Sequence, residues 1–231
     1  MLEPDTKVIE WLNRAADICH EIASRDSSYP DFYVFQSLLR LNPNLLIVGA
    51  NPHGNSSYIE KLREKGIERR MGVDLISGTN MFLDNPDWRI SRPLISMFKE
   101  PSLFSVLEKA VIMNVIYFNT NKVNDLKKFK AGREMIQKCQ ELTNEFVYQI
   151  LKPKGILFLG EDGHKWMKLN FDPTKDTVVR NDEGRWLVQK ITIEGIPHYK
   201  VCHPSMNFRY NSGTNLDLKK NYFESCFRRH E

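Results

Sequence analysis

The sequence predicts an α/β protein of three layers, α/β/α, with helices on both faces of a mostly parallel, four-stranded central sheet. Three observations carry that expectation. Apolar runs at residues 45–50, 110–118 and 155–160 read as strands buried on both faces, which is the habit of parallel sheets. Residues 6–24 and 133–151 space their apolar side chains three and four apart, as amphipathic helices do. The apolar runs give way to polar stretches marked by glycine, asparagine or proline, where a strand hands over to a loop.

The elements follow in order. Over residues 6–24, Val8, Trp11, Leu12, Ala15, Ala16, Cys19, Ile22 and Ala23 form one apolar stripe, so a helix opens the chain. With the aromatic-rich stretch at 29–41 it makes a helical layer, residues 1–43, packed on the rest. Pro43 is tolerated because it precedes the paired part of the first strand. Residues 56–70 alternate charges with sparse anchors at Ile59, Leu62 and Ile67, and read as a solvated helix or a loop cover. Residues 72–93 are punctuated by Gly78, Asn80, Asn85-Pro86 and Pro93, yet hold Phe82 and Trp88; long loops with large aromatics are often functional. Helical spacing returns at 94–108. The second strand, 110–118, carries one amide, Asn114, in its middle. Burying it without partners costs about 1–3 kcal/mol, so it calls for the backbone or a visiting ligand. The helix at 133–151 supplies the crossover to the third strand at 155–160. A helix at 162–169 follows. Residues 186–193 and 198–202 flank Glu194-Gly195 as a hairpin whose second arm runs into His203-Pro204-Ser205. A helix at 217–229 closes the chain. Without internal repeats or linkers, one domain is expected across all 231 residues.

Composition excludes several classes. A hydrophobic fraction of 41% and a charged fraction of 27% are ordinary globular values. No apolar run is long enough to span a bilayer. The start, Met1-Leu2-Glu3-Pro4-Asp5, is acidic where a secretory signal is basic. A cytoplasmic or nuclear protein with no membrane partner is the expectation. Cys19, Cys139, Cys202 and Cys226 are scattered without a Cys-x-x-Cys pair, which argues for reduced thiols over a disulfide frame, zinc ribbon or iron–sulfur cluster. The net charge of +4 permits a polyanionic partner without demanding one.

Three polar islands lie at or beside the ends of buried strands, at 51–54, 114–120 and 203–210. In a right-handed α/β sheet such loops converge on one edge, where ligands bind. Singly, each has a structural reading: Asn51 before Pro52 initiates a turn, Asn114 is a core amide, His203 caps a strand. Together they resemble a known family. Gly49-Ala50-Asn51-Pro52 resembles the Gly-x-Asn-Pro turn, Met113-Asn114-Val115 the buried asparagine strand, and His203-Pro204-Ser205 the His-Pro-Ser loop of the uracil-DNA glycosylase superfamily. Order and spacing agree, the similarity is greatest to the single-strand-selective monofunctional type, and it covers roughly residues 44–225. The resemblance implies a monofunctional DNA glycosylase that hydrolyses the N-glycosidic bond of uracil or a related damaged pyrimidine in base excision repair. It implies DNA as partner, a monomer, and neither metal nor organic cofactor.

Such a reaction needs the base turned out of its stack, read on its pairing edge, and released as an anion while the sugar becomes oxocarbenium-like. An asparagine amide offers a donor and an acceptor that complement O4 and N3–H of uracil. The resemblance accordingly makes Asn114 the reader of the base. It makes His203 the donor to O2 of the departing base, and Asn51 the holder of the attacking water. Gly49, Ala50, Pro52 and His53 form the substrate turn. Phe82 is the expected stacking ring, with Tyr58 and Trp88 as competitors. Ser205 is expected at a phosphate, and Met206, Phe208 and Arg209 in the segment that fills a vacated stack. The chain departs from the pattern at His53, where the nearest relatives have glycine, in the length of the 55–77 segment, and in a missing second proline of the wedge loop. No lysine occupies the islands to form a Schiff base, so no lyase step is expected, although Lys122 and Lys200 are nearby in sequence. The alternative is a catalytically inactive nucleic-acid- or nucleotide-binding protein of the same architecture. A zinc site from His198, Cys202 and His203 lacks a further ligand.

Overall fold

A computed structural model describes residues 6–205 and 208–227. Its centre is a six-stranded sheet made of β1 (Leu46–Gly49), β2 (Val111–Asn114), β3 (Ile156–Leu159), β4 (Thr177–Arg180), β5 (Trp186–Ile193) and β6 (Ile196–Val201). The spatial order is β2-β1-β3-β6-β5-β4. The first four of these run parallel, whereas β5 lies antiparallel to β6 and β4 antiparallel to β5. The sheet is therefore mostly parallel, as expected, but has six strands and not four. The predicted hairpin arms are strands of the central sheet itself, and β4 gave no readable signal. Its four residues Thr-Val-Val-Arg alternate between half-buried and exposed, and an edge strand so short carries too little period-two pattern to register.

Two-sided burial follows from strand alternation. Leu46 and Val48 enter one apolar cluster with Trp11, Tyr117, Phe146 and Phe158. Leu45 and Ile47 enter another with Leu94, Phe98, Leu103 and Phe223. Each such side chain contributes about 1.5–3 kcal/mol by leaving water, so both clusters hold the central strands in register.

The helices are α1 (Thr6–Ala23), α2 (Tyr58–Lys65), α3 (Met81–Asp84), α4 (Ser91–Met97), α5 (Pro101–Glu108), α6 (Gly132–Glu145), α7 (Asp162–Trp166) and α8 (Gly213–Phe227). The buried stripe of α1 is the predicted one, residue for residue. The Ser57 side chain accepts from the Glu60 N–H to start α2, and Gly66 at φ 64° ends it. The expected helix at 94–108 is two helices, because Pro101 lacks the amide needed to continue α4 and instead opens α5. The helix at 133–151 begins as α6 and finishes in a π turn, Phe146–Leu151. The helix at 162–169 is only the short α7. The strand at 110–118 stops at Asn114, after which Val115 and Ile116 donate to the carbonyls of Gly49 and Ala50. Asn114 thus stands at the end of a strand and not in its middle. Among the described residues no helix is long and apolar enough to cross a membrane.

Candidate active site

Because β2, β1, β3 and β6 are parallel neighbours, their carboxyl ends lie in a row. The row reads Asn114, Gly49, Gly160 and the chain leading to His203. At about 4.8 Å between strands, the two outer backbones are roughly 14 Å apart, with the Asn51 turn rising between them.

Asn114 is 3% exposed and pairs with Gly49 across the ladder. Its Oδ1 lies 2.5 Å from where a Cβ on residue 49 would stand, so a side chain there would displace the amide. Its backbone N–H donates to the Val34 carbonyl at 3.2 Å. Its Nδ2 is buried and has no hydrogen-bond partner. An unmade bond of this kind costs about 1–3 kcal/mol, and it sits where open sheets receive ligands.

The Asn51 Nδ2 donates to the Thr120 carbonyl at 2.7 Å, the Pro52 carbonyl at 3.1 Å and the Thr120 Oγ1 at 3.2 Å. Two carbonyl oxygens facing one end of the amide fix that end as NH2. The acceptor Oδ1 is therefore left at the other end. Thr120 is itself clamped, its N–H donating to Pro52 O at 3.2 Å and its hydroxyl to Lys122 O at 2.9 Å.

His203 leaves β6 against Gly160. A Cβ on Gly160 would sit 3.0 Å from the His203 Cβ and 3.1 Å from its Cδ2, and Gly160 has φ +90°, so glycine is required twice over. The Ser205 N–H donates to His203 Nδ1 at 3.3 Å, with the Ser205 hydroxyl 2.9 Å from the same nitrogen. Nδ1 is thus an acceptor and the ring proton resides on Nε2. Burial lowers the imidazole pKa below its ordinary value, opposed by the nearby Asp162 carboxylate, so the ring is neutral at pH 7. From beneath, Asn211 Nδ2 donates to the His203 carbonyl at 3.1 Å and Lys219 Nζ donates to Asn211 Oδ1 at 2.5 Å. Burial lowers the Lys219 amine to about 8.

The remaining predicted residues divide. Phe82 is 4% exposed in the apolar cluster that holds Ile47 and Ile112, the sheet face to which Asn114 also belongs by alternation. Tyr58 lies in the opposite cluster, bonded to His20 Nδ1 at 2.8 Å and packed on Phe32, which removes it as a competitor. Trp88 is 41% exposed. Pro52 is buried, Ala50 half-buried with its carbonyl engaged by Ile116, and His53 exposed. Ser205 is engaged with His203. Arg209 is exposed and ion-paired to Glu183. Phe208 opens a short helical turn, Phe208–Asn211, and Met206 lies outside the described residues. The clamp of Thr120, the close packing of Gly160 and the Lys219–Asn211 support escape a linear reading, because each joins residues that only folding brings together.

Among the described residues, cavities lie beside the site and at the opposite end of the sheet. One of about 30 Å³ is lined by Asn44, Lys154, Pro197 and Tyr199 among others, at the amino ends of the strands. The other, about 270 Å³, is lined by Arg180, Gly184, Arg185, Trp186, Cys202 and Tyr210 and adjoins the site through Cys202. Neither is lined by Asn51, Asn114 or His203. Among the described residues no three His, Cys, Asp or Glu side chains gather as a metal site would require. Compared with known proteins, the chain matches no family model and no curated sequence.

Proposed function

We propose that the protein is a monofunctional DNA glycosylase acting on uracil or a close pyrimidine relative. The observation that carries this reading is the Asn114 amide, buried at a strand end with its NH2 unpartnered. A pyrimidine O4 accepts from that NH2, and the base's N3–H donates to the amide oxygen. Asn51, with its NH2 end engaged by Thr120 and Pro52, offers Oδ1 to a water. When the C1′–N1 bond breaks, its electron pair leaves with the base, and the His203 Nε2–H donates to O2 where negative charge develops. Water adds to C1′ and gives its proton to solvent, since an amide is no base. A neutral imidazole suits the role, because it donates without needing a second proton.

The test is incubation with single- and double-stranded oligonucleotides carrying one uracil, followed by alkali and a sizing gel. Wild type should produce alkali-labile sites, with Asn51→Ala and His203→Ala each slower by about 10²–10³. A wild-type protein inert on uracil and on its oxidised derivatives in both strand forms overturns the proposal. A second reading, nucleotide binding without turnover, is favoured by the 270 Å³ cleft, which lies beside these residues and not over them. It predicts salt-dependent binding with no base release.

A further inference from the structure

The hairpin of β4 and β5 lies at the edge of the sheet, on the side of β6 away from β3. Its turn is closed by Asn181 N–H to Arg185 O at 3.0 Å and Gly184 N–H to Asn181 O at 2.8 Å. Arg180 braces it, donating to the carbonyls of Gly184 at 2.8 Å and Pro173 at 3.0 Å. From this hairpin Arg185 reaches across to the segment after His203, donating to the Tyr210 hydroxyl at 2.8 Å. The 270 Å³ cleft lies between the two.

The chemistry of its walls is specific. Two guanidiniums and two aromatic rings line it, and among the described residues no carboxylate does. The hydrogen-bond partners of Arg180 are carbonyls, and the ion pair of Arg185 with Glu183 is long, 3.8 Å at Nε, and shared with Arg209. Trp186 is held from one side by Lys200, whose Nζ sits 4.7 Å from the ring centroid and is fixed by Glu161 at 3.0 Å. Its indole is thereby a fixed platform. Cations for a phosphate beside a flat ring for a base describe a nucleotide subsite. The volume, about 270 Å³, lies just below the roughly 300 Å³ at which pockets for drug-sized ligands begin, the scale of one nucleotide.

We propose that this cleft takes the nucleotide next to the target base in a single strand, with its phosphate at Arg185 and its base on Trp186. The identity of the strand rests on the glycosylase reading; the cleft itself does not. Cys202 is the link, since it lines the cleft and is bonded to His203 in the chain. In a duplex the neighbouring base is stacked and paired, so an indole platform selects an unpaired strand.

The test uses a short single-stranded thymine oligonucleotide containing no uracil, with affinity measured by fluorescence anisotropy across a salt series. Arg185→Ala should weaken binding and flatten the slope of log K against log salt by about 0.7, while Arg185→Lys keeps the slope. Trp186→Ala should weaken binding about fivefold or more. Arg185 is 62% exposed, so its variants test the cleft even if Trp186→Ala disturbs the fold. Unchanged affinity and slope in Arg185→Ala overturn the proposal. Thymidine monophosphate displacing the oligonucleotide at equal nucleotide concentration overturns the assignment to a strand. Arg185-dependent binding without uracil release leaves the cleft standing and removes the glycosylase; uracil release with Arg185-independent binding does the reverse.

Discussion

Asn114 is where stability and function pull apart. Its Nδ2 is buried without a partner, a cost the folded protein bears for as long as no ligand occupies the strand ends. Leucine has nearly the same shape and no polar atoms. Asn114→Leu should therefore raise unfolding free energy by about 1–3 kcal/mol in urea titrations while abolishing uracil release. A destabilised Asn114→Leu protein would mean that the amide is a structural member of the core. Gly49→Ala approaches the same atom from the other strand. The added methyl would stand 2.5 Å from the Asn114 Oδ1, so the amide must turn. Overpacking of this kind costs about 1–3 kcal/mol, and base release should fall further than the loss of stability explains when assayed well below the melting temperature.

At the scale of elements, α8 supports the loop that carries His203 through a buried cation, Lys219, besides the Asn215 Nδ2 that donates to the Arg209 carbonyl at 2.9 Å. The Lys219 amine has its pKa lowered to about 8 by burial, below the ordinary lysine value of 10.5. The unfolded chain holds this proton more tightly, so stability should rise with pH between about 8 and 10.5 as the buried charge is relieved. Lys219→Met removes that cost and should stabilise the protein by about 1–3 kcal/mol at pH 7, a gain that vanishes above pH 10.5. It also releases Asn211, whose Nδ2 holds the His203 carbonyl, so base release should slow while the melting temperature rises. A Lys219→Met protein equally active would show that the His203 loop needs no such brace. This support also marks the limit of what the chain reveals before folding. The stripe of α1, the run of β1 and the polar turn after it were legible because burial repeats with the period of the element. The hydrogen bonds from Asn51 to Thr120, and from Lys219 through Asn211 to His203, join positions set by strand order, for which no local pattern stands. β4 escaped for a different reason: four residues, with Val178 exposed to 43% and Val179 turned to the core, are too few for alternation to register.

Across the whole molecule the buried histidines set the acid limit. His198 donates from Nδ1 to the Ile196 carbonyl at 2.8 Å and takes the Tyr148 hydroxyl on Nε2 at 2.8 Å. His164 donates from Nδ1 to the Leu169 carbonyl at 3.0 Å, and His203 accepts the Ser205 N–H on Nδ1. Burial lowers the pKa of all three below 6.5, so each is neutral in the fold at pH 7. On gaining a proton His198 and His203 would lose the acceptor nitrogen that Tyr148 and Ser205 use, whereas the Nε2 of His164 faces Glu161 at 3.5 Å and would only bear the cost of a charge in a buried place. The sign follows from linkage: below about pH 6.5 the unfolded chain binds protons that the folded chain resists, so stability should fall as pH drops from 7 to 5. Above pH 7 these groups contribute no slope. His198→Phe should flatten the decline in urea midpoints between pH 7 and 5, because a ring stacked between Phe158 and Tyr148 can remain without its titrating nitrogens. Uracil release should fall over the same range in wild type, and His203→Gln, which cannot be protonated there, should be slower at pH 7 but lose the part of the pH dependence that belongs to the site. An acid limb unchanged in His203→Gln would place the sensitivity in the fold alone, with the imidazole at the strand end taking no part in it.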